Sequence, residues 1–246
     1  MVVAAAARRI PAALTEADAH FGLANRLAAP FAARVFLSFP IDGRDGAKYL
    51  VTGRPIPERN RTVGREEGRR RFELPPDGPV LLVFGGSLGA WPLNELAVDA
   101  FAERGPALLH LCGERDYEAL APRVHRDDYR LLPFTDEFGA ALGAADLAVS
   151  RAGGSVWELA AAGLPAVLVP WPGATSDHQT ANARYFERSG GVVVVPETDL
   201  DHVPDVVRSL VGDGNRLEDM RQAMLELARP NAAEVIAEEL IRLARR

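Results

Sequence analysis

Two short glycine-rich stretches in this sequence have the residue types to hold a phosphate. Gly85-Gly86-Ser87-Leu88-Gly89-Ala90 follows an apolar run and leads into Trp91-Pro92, where a helix should begin. Glycines let a backbone turn tightly and come close to a ligand. The helix start behind them offers unpaired N–H groups and the positive end of a dipole. Ser87 adds a hydroxyl. The pattern is neither a Walker A loop, since no Gly-Lys-Ser/Thr follows, nor a GxGxxG fingerprint. Taken alone it is equally a tight strand-to-helix turn. Arg151-Ala152-Gly153-Gly154-Ser155-Val156-Trp157-Glu158 is the second such stretch. Glu158 falls about one turn into the following helix, where a carboxylate can accept hydrogen bonds from ribose hydroxyls or simply complement the helix dipole.

Other segments gain meaning beside these. Pro170-Trp171-Pro172-Gly173 leads into Ser176-Asp177-His178-Gln179, a polar loop after a strand. Open α/β sheets bind ligands at that edge. Asp177 is expected to N-cap the next helix, with His178 and Gln179 in its first turn, within reach of a sugar or phosphate. Phe134-Thr135 follows another strand through Pro133 and has the means to clamp a flat base. Asp199-Leu200-Asp201 has the spacing of metal-dependent sugar transfer, but capping of a helix is the better reading there. The histidines at 20, 110, 125, 178 and 202 show no metal-ligand spacing, and no GxSxG elbow occurs.

The elements that must position these residues alternate regularly. Unbroken apolar runs at 80–84, 107–111, 129–132, 147–149, 166–169 and 192–195 read as strands buried on both faces of a parallel sheet. Helical stretches lie between them, the βαβ rhythm of a doubly wound fold. Three helices are expected at 199–211, 216–229 and 231–245; in the last, Val235, Ile236, Leu240, Ile241 and Leu243 form one apolar face. Upstream, a helix is expected around 23–33 and strands at 35–39 and 49–51. Between Arg54 and Arg71 stand seven arginines against three glutamates. They read as a solvated charged surface, with acceptor or phosphate contacts as the alternative. The expected organisation is a remnant α/β domain over 1–60, a linker with a short helix over 61–78, a parallel-sheet domain carrying both glycine-rich turns over 79–228, and a terminal helix over 229–246 returning toward the N-terminal part.

Composition narrows the class. Of 246 residues, 48% are hydrophobic and 25% charged, which excludes disordered and collagen-like chains. Cys112 is the only cysteine, so neither an intrachain disulfide nor a cysteine zinc site is possible. The net charge of −6 speaks against general nucleic-acid binding. No apolar run suffices for a membrane span, the apolar start does not read as a secretory signal, and no repeat period appears.

Together, segments 85–90, 134–136, 151–165 and 177–183 resemble the C-terminal half of the MurG family of GT-B glycosyltransferases, in the family's order and approximate spacing. The segment Thr15-Glu16-Ala17-Asp18 to Asn25 resembles the His-Glu-Gln-Asn stretch late in that family's N-terminal domain. The resemblance covers nearly the whole chain. It implies an α/β GT-B fold: a Rossmann-like parallel sheet domain with C-terminal helices, preceded by a partial α/β domain. It also implies inverting transfer of N-acetylglucosamine from UDP-GlcNAc to lipid I, giving lipid II for peptidoglycan. Carried over by position, Gly86, Ser87, Leu88 and Gly89 meet the diphosphate, and Arg151, Gly153, Gly154 and Ser155 join the donor site. Phe134 and Thr135 hold uracil, Glu158 the ribose, and His178 and Gln179 the phosphate or GlcNAc hydroxyls. Glu16 and Asp18 face the acceptor and are the family-aligned candidates for catalysis. No metal or other cofactor is implied. The implied partners are UDP-GlcNAc, a lipid-linked muropeptide and the inner-leaflet membrane surface, with a cytoplasmic, peripheral location.

The sequence departs from the family in places. Thr15 and Asp18 replace a histidine and an asparagine. Pro57 stands where the linker carries arginine, and Arg54 or Arg59 are the available substitutes. The family's N-terminal glycine-rich loop is not in this sequence. The expectation is therefore either an incomplete chain or a nucleotide-sugar-binding subunit that needs a separate acceptor domain. A related GT-B transferase with another sugar or lipid is a further alternative. A UDP-GlcNAc epimerase of similar fold would need a paired acid and base spanning both domains, which is not visible.

Overall fold

The structure, a computed structural model, describes residues 1–86 and 89–245. After α1 (Val2–Ala7), three short parallel strands form a small sheet: β1 (Ala13–Glu16), β2 (Arg34–Leu37) and β3 (Tyr49–Val51), in that spatial order. α2 (Leu23–Ala28) joins β1 to β2. It is shorter than expected because Pro30 opens a 3-10 turn over Ala29–Phe31. β2 also ends earlier than expected. Phe39, just ahead of Pro40, leaves the sheet and packs on Trp157 with ring centroids 5.1 Å apart. Tyr185 and Phe186 complete that cluster, at 5.3 and 6.1 Å from Phe39.

A 3-10 turn (Glu58–Asn60) and α3 (Arg65–Arg71) then lead to the large sheet. Its strands are β4 (Val80–Phe84), β5 (Ala107–Leu111), β6 (Tyr129–Leu132), β7 (Leu147–Ser150), β8 (Ala166–Leu168) and β9 (Val192–Val194), all parallel. The helices between them are α4 (Trp91–Phe101), α5 (Glu114–Leu120), α6 (Phe138–Ala144), α7 (Val156–Ala161) and α8 (His178–Arg188). α9 (Val203–Val211), α10 (Gly214–Leu227) and α11 (Ala232–Ala244) close the chain.

The apolar runs form strands because both their faces are covered. In β4, Val80, Leu82 and Phe84 enter one core with Phe72, Leu142, Trp157, Phe186 and Met224. Leu81 and Val83 enter the other with Leu93, Phe101, Leu120, Val207 and Leu210. Burying each such side chain stabilises the fold by roughly 1.5–3 kcal/mol. The apolar face expected on α11 is only partly covered. Leu243 is buried, while Val235, Leu240 and Ile241 are exposed. The helix is instead tied to the small sheet by Glu239, whose carboxylate lies 3.0 Å from Arg34 Nε. Asp199 does not cap a helix; it accepts from the Thr198 hydroxyl at 3.1 Å inside a 3-10 turn over Glu197–His202. Among the described residues no helix is long and apolar enough to cross a membrane.

The linker arginines are not all solvated. Arg69 is 2% exposed, and its guanidinium donates to the carbonyls of Ala144, Pro75, Pro76 and Gly78 and to Asp146 Oδ2 at 2.8 Å. That cage of acceptors offsets the desolvation of the charge. Asp146 also accepts from Val80 N at 2.7 Å and pairs with Arg65. Its own N–H donates to Val80 O at 2.9 Å.

A second buried polar group lies under the first glycine-rich turn. Asn94, in the first turn of α4, donates from Nδ2 to Cys112 O at 2.7 Å and to Asp116 Oδ2 at 2.9 Å. Its Oδ1 lies 3.0 Å from His110 Nε2, and His110 Nδ1 lies 2.9 Å from the Tyr129 hydroxyl. Since Asn94 Oδ1 only accepts, Nε2 carries the proton and the tyrosine donates to Nδ1. Burial pushes the His110 pKa down to about 3 and that of Cys112 up to about 11.

Two measurements follow. Asp146→Ala leaves Arg69 buried without its carboxylate, so chemical denaturation should show a loss of about 3–5 kcal/mol. His110 sets a pH dependence. Folded, it stays neutral down to about pH 3; unfolded, it takes a proton near its ordinary pKa of 6.5. The unfolded chain thus binds more protons in that window, so this contribution is complete above pH 6.5 and falls as pH drops toward 3. In His110→Gln, which keeps a donor and an acceptor, urea midpoints between pH 6.5 and 4 should fall less steeply, by about one proton.

Candidate functional site

The large sheet runs in the order β6-β5-β4-β7-β8-β9. The chain therefore builds outward from β4 on one side, then returns to start again at β7. Neighbouring strands whose connections leave in opposite directions open a crevice at their carboxyl ends. Phe84 pairs with Ser150 across that point, so the two glycine-rich turns emerge side by side.

Each turn is glycine-rich for a local reason. A Cβ on Gly85 would fall 2.6 Å from Ala90 N. Gly89 has φ +73, and a Cβ there would meet Cys112 O at 2.6 Å. Its N–H closes the turn on Gly86 O at 3.0 Å. Ser87 and Leu88, both expected to meet the diphosphate, lie outside the described residues. In the second turn, open space lies above Gly153. The N–H groups of Gly153, Gly154 and Ser155 have no acceptor among the described residues. Ser155 occupies the N-cap position of α7 without a side-chain cap bond, which leaves its hydroxyl available.

Two cavities meet here. The larger, about 790 Å³, runs between the two turns and is walled by Arg54, Trp91, Arg151, Trp171 and Gln179. The smaller, about 300 Å³, is walled by Phe84, Pro133, Phe134, Thr135 and Asn60. Gly86, Ser155 and Glu158 line both. The expected donor residues Gly86, Gly89, Phe134, Thr135, Arg151, Gly153, Gly154, Ser155, Glu158 and Gln179 are thus brought together on one edge. Phe134 is 58% exposed at the mouth of the smaller cavity, a free aromatic face.

Several expected residues have other partners. Arg151 is buried, donates to Val169 O at 3.2 Å and pairs with Glu197. It holds the strand ends together, and its charge is already neutralised. His178 is not among the residues lining either cavity; its Nδ1 lies 2.9 Å from Thr175 O. Asp177 precedes α8 at φ 52 and makes no side-chain cap. Gln179 Oε1 accepts from Trp171 N at 2.9 Å, which orients its amide at the cavity wall. Thr135 Oγ1 accepts from Glu137 N at 3.0 Å.

The acceptor-side carboxylates are engaged as well. Glu16 is 7% exposed. It accepts from Ala17 N at 3.0 Å, from Gly22 N at 2.9 Å and from Asn25 Nδ2 at 2.9 Å. It folds the loop after β1 and does not line either cavity. Asp18 accepts from Asn182 Nδ2 at 3.0 Å. Asn182, fully buried in α8, also accepts from Ala19 N at 2.8 Å and donates to Ala152 O at 3.2 Å. One amide thereby joins the small sheet's loop to the second glycine-rich turn.

Sequence reasoning missed Asn60, whose Nδ2 donates to Glu158 Oε1 at 2.6 Å, and Glu197, the partner of Arg151. Asn60 stands among charged linker residues and Glu197 after a strand; neither belongs to a motif. Trp157 Nε1 is buried beside the larger cavity without an acceptor among the described residues. Among the described residues, no three His, Cys, Asp or Glu side chains are grouped to hold a metal.

Residues 80–238 match the glycosyltransferase family 28 C-terminal domain. The UDP-N-acetylglucosamine--N-acetylmuramyl-(pentapeptide) pyrophosphoryl-undecaprenol N-acetylglucosamine transferase of Salinibacter ruber is 39% identical, over 100% of this chain and 69% of its own length. The crystal structure of Acinetobacter baumannii MurG superposes with a TM-score of 0.80 at 28% identity, covering 98% of this chain and 69% of that one. UDP-GlcNAc 2-epimerase from Neisseria meningitidis, at 15% identity and a TM-score of 0.63, shares the fold alone.

Proposed function

The chain belongs to glycosyltransferase family 28, and on that premise we propose that it transfers N-acetylglucosamine from UDP-GlcNAc to lipid-linked MurNAc-pentapeptide, with inversion. The observation that carries this reading is the pair of joined cavities at the strand switch point, sharing Glu158 and Ser155. A nucleoside diphosphate sugar has that two-part shape. Uracil stacks on Phe134 in the smaller cavity. The ribose hydroxyls donate to Glu158, already oriented by Asn60. The diphosphate lies over the free N–H groups of Gly153, Gly154 and Ser155, at the positive end of α7. The sugar extends toward Trp171 and Gln179.

The acceptor 4-hydroxyl oxygen attacks C1 from the open side, forming the new glycosidic bond, and its proton passes to solvent. The bond from C1 to the β-phosphate oxygen breaks, and UDP leaves with the electron pair. The turn's N–H groups stabilise the charge gathering on the diphosphate, as fixed donors do in an oxyanion hole. This reading calls on no metal. Neither Glu16 nor Asp18 is assigned as the base, since both carboxylates hold backbone or side-chain donors at a distance from the cavities. Because the acceptor is lipid-linked, the work is done at a membrane surface, which we place on the cytoplasmic side.

Calorimetric titration tests the donor half of this reading. UDP-GlcNAc should bind saturably and ADP-glucose should not. Glu158→Ala, which removes a charged hydrogen-bond acceptor, should weaken UDP-GlcNAc by about ten- to a hundredfold. A folded chain with no affinity for UDP-GlcNAc would overturn the assignment.

A further inference from the structure

The mechanism above makes no use of the buried polar group under the first glycine-rich turn. Side chains alternate along β5, so His110 points to the same side as Leu108 and Cys112, into the core beneath α4. His110 and Asn94 are fully buried there, and Tyr129 and Asp116 almost so. Well-packed apolar side chains would hold α4 on the sheet at least as firmly. Stability alone therefore does not account for four polar side chains at this place. What a fully bonded polar group adds to a core is direction.

Every bond in the group runs the same way. The Tyr129 hydroxyl donates to His110 Nδ1 at 2.9 Å, His110 Nε2 to Asn94 Oδ1 at 3.0 Å, and Asn94 Nδ2 to Asp116 Oδ2 at 2.9 Å. Asn94 Nδ2 also donates to Cys112 O at 2.7 Å. The imidazole thereby leaves the amide one orientation. Turned over, its NH2 would face the Nε2 proton, and its oxygen would face a carbonyl and a carboxylate. The first turn sits against this end of the chain of bonds. A Cβ on Gly89 would fall 2.6 Å from Cys112 O, 3.2 Å from Asp116 Oδ2 and 3.6 Å from Asn94 Nδ2. Asn94 also starts α4, its N–H donating to Ala90 O at 3.0 Å. Gly89, Ala90 and Trp91 wall the larger cavity, while Leu111 and Gly113, which flank Cys112, wall the smaller. One amide thus ties together the floors of both.

We propose that His110 is a positioning residue of this site: acting through Asn94, it sets the spacing between Gly89 and the carboxyl end of β5, and with it the shape of both cavities. His110 lines neither cavity, so its effect on a ligand passes wholly through the amide it orients. The inference rests on the donor reading above for the identity of the ligand. The seating of the turn on the amide does not depend on that identity.

The test titrates the full chain with UDP-GlcNAc, under conditions where circular dichroism shows each variant folded. His110→Leu leaves Asn94 Oδ1 without a donor and should weaken UDP-GlcNAc by about tenfold. His110→Gln, whose amide can donate to the same oxygen, should bind as the wild type does. Val207→Ala thins the same core from α9 without touching the chain of bonds. It should lower the urea midpoint and leave the affinity unchanged. Full affinity in folded His110→Leu overturns the proposal. So does a loss in His110→Gln equal to that of the leucine variant, and so does an equal loss in Val207→Ala, which would mark a general softening of the core. Amide hydrogen exchange reads the turn directly. The Gly89 N–H, bonded to Gly86 O, should exchange faster in Tyr129→Phe, a milder variant that serves where His110→Leu does not fold. An unchanged rate there overturns the proposal. A wild-type chain without affinity for UDP-GlcNAc sinks the donor reading, and exchange at Gly89 then still decides whether His110 positions the turn.

Discussion

The site depends on one reciprocal pair of hydrogen bonds, one between backbones and one made to a carboxylate. Val80 opens β4, and Asp146 stands just before β7. Each accepts from the other: Asp146 N donates to Val80 O, and Val80 N to Asp146 Oδ2. That exchange starts the two strands level, and four residues later Phe84 and Ser150 end level. A slip of one residue would turn every side chain of β4 to the opposite face. It would also separate the two turns by the length of a residue, about 3.3 Å. Arg69 makes the slip costly, because its guanidinium is held by four carbonyls as well as the carboxylate.

The large sheet was legible in the sequence for a simple reason. Strands buried on both faces have no polar positions to interrupt them, so 80–84 and 107–111 stand out as runs bounded by glycine. The turns that follow were legible because close backbone approach admits only glycine, as at Gly85 and Gly89. The small sheet was harder. Phe39 continues an apolar run but serves an aromatic cluster contributed by α7 and α8, more than a hundred residues away. A local pattern holds no trace of such a partner.

The polar residues divide in the same way. Glu158 stood out as a candidate because it sits inside a motif. Asn60, which orients it, was not, because its role exists only once the linker lies across the sheet edge. Glu16 illustrates the opposite error. A carboxylate in a family-like segment invites a chemical role, yet this one organises a loop by accepting N–H groups that would otherwise be stranded. The linker arginines, similar in sequence, differ by burial: Arg70 pairs with Glu67 in solvent, while Arg69 is almost wholly enclosed.

Asn182 has a consequence for how this fold tolerates recombination between relatives. Its amide is shared between the loop after β1, through Asp18 and Ala19, and the turn after β7, through Ala152. A crossover placed in the linker would bring together a loop and an α8 of separate ancestry. Where either lacks its matching group, a buried amide is left with an empty donor or acceptor directly beneath the second turn. The two sheets are therefore not freely exchangeable modules, although a flexible-looking linker separates them in sequence. Inheritance must keep the side chains at 18 and 182 together, since residues 19 and 152 contribute only backbone atoms.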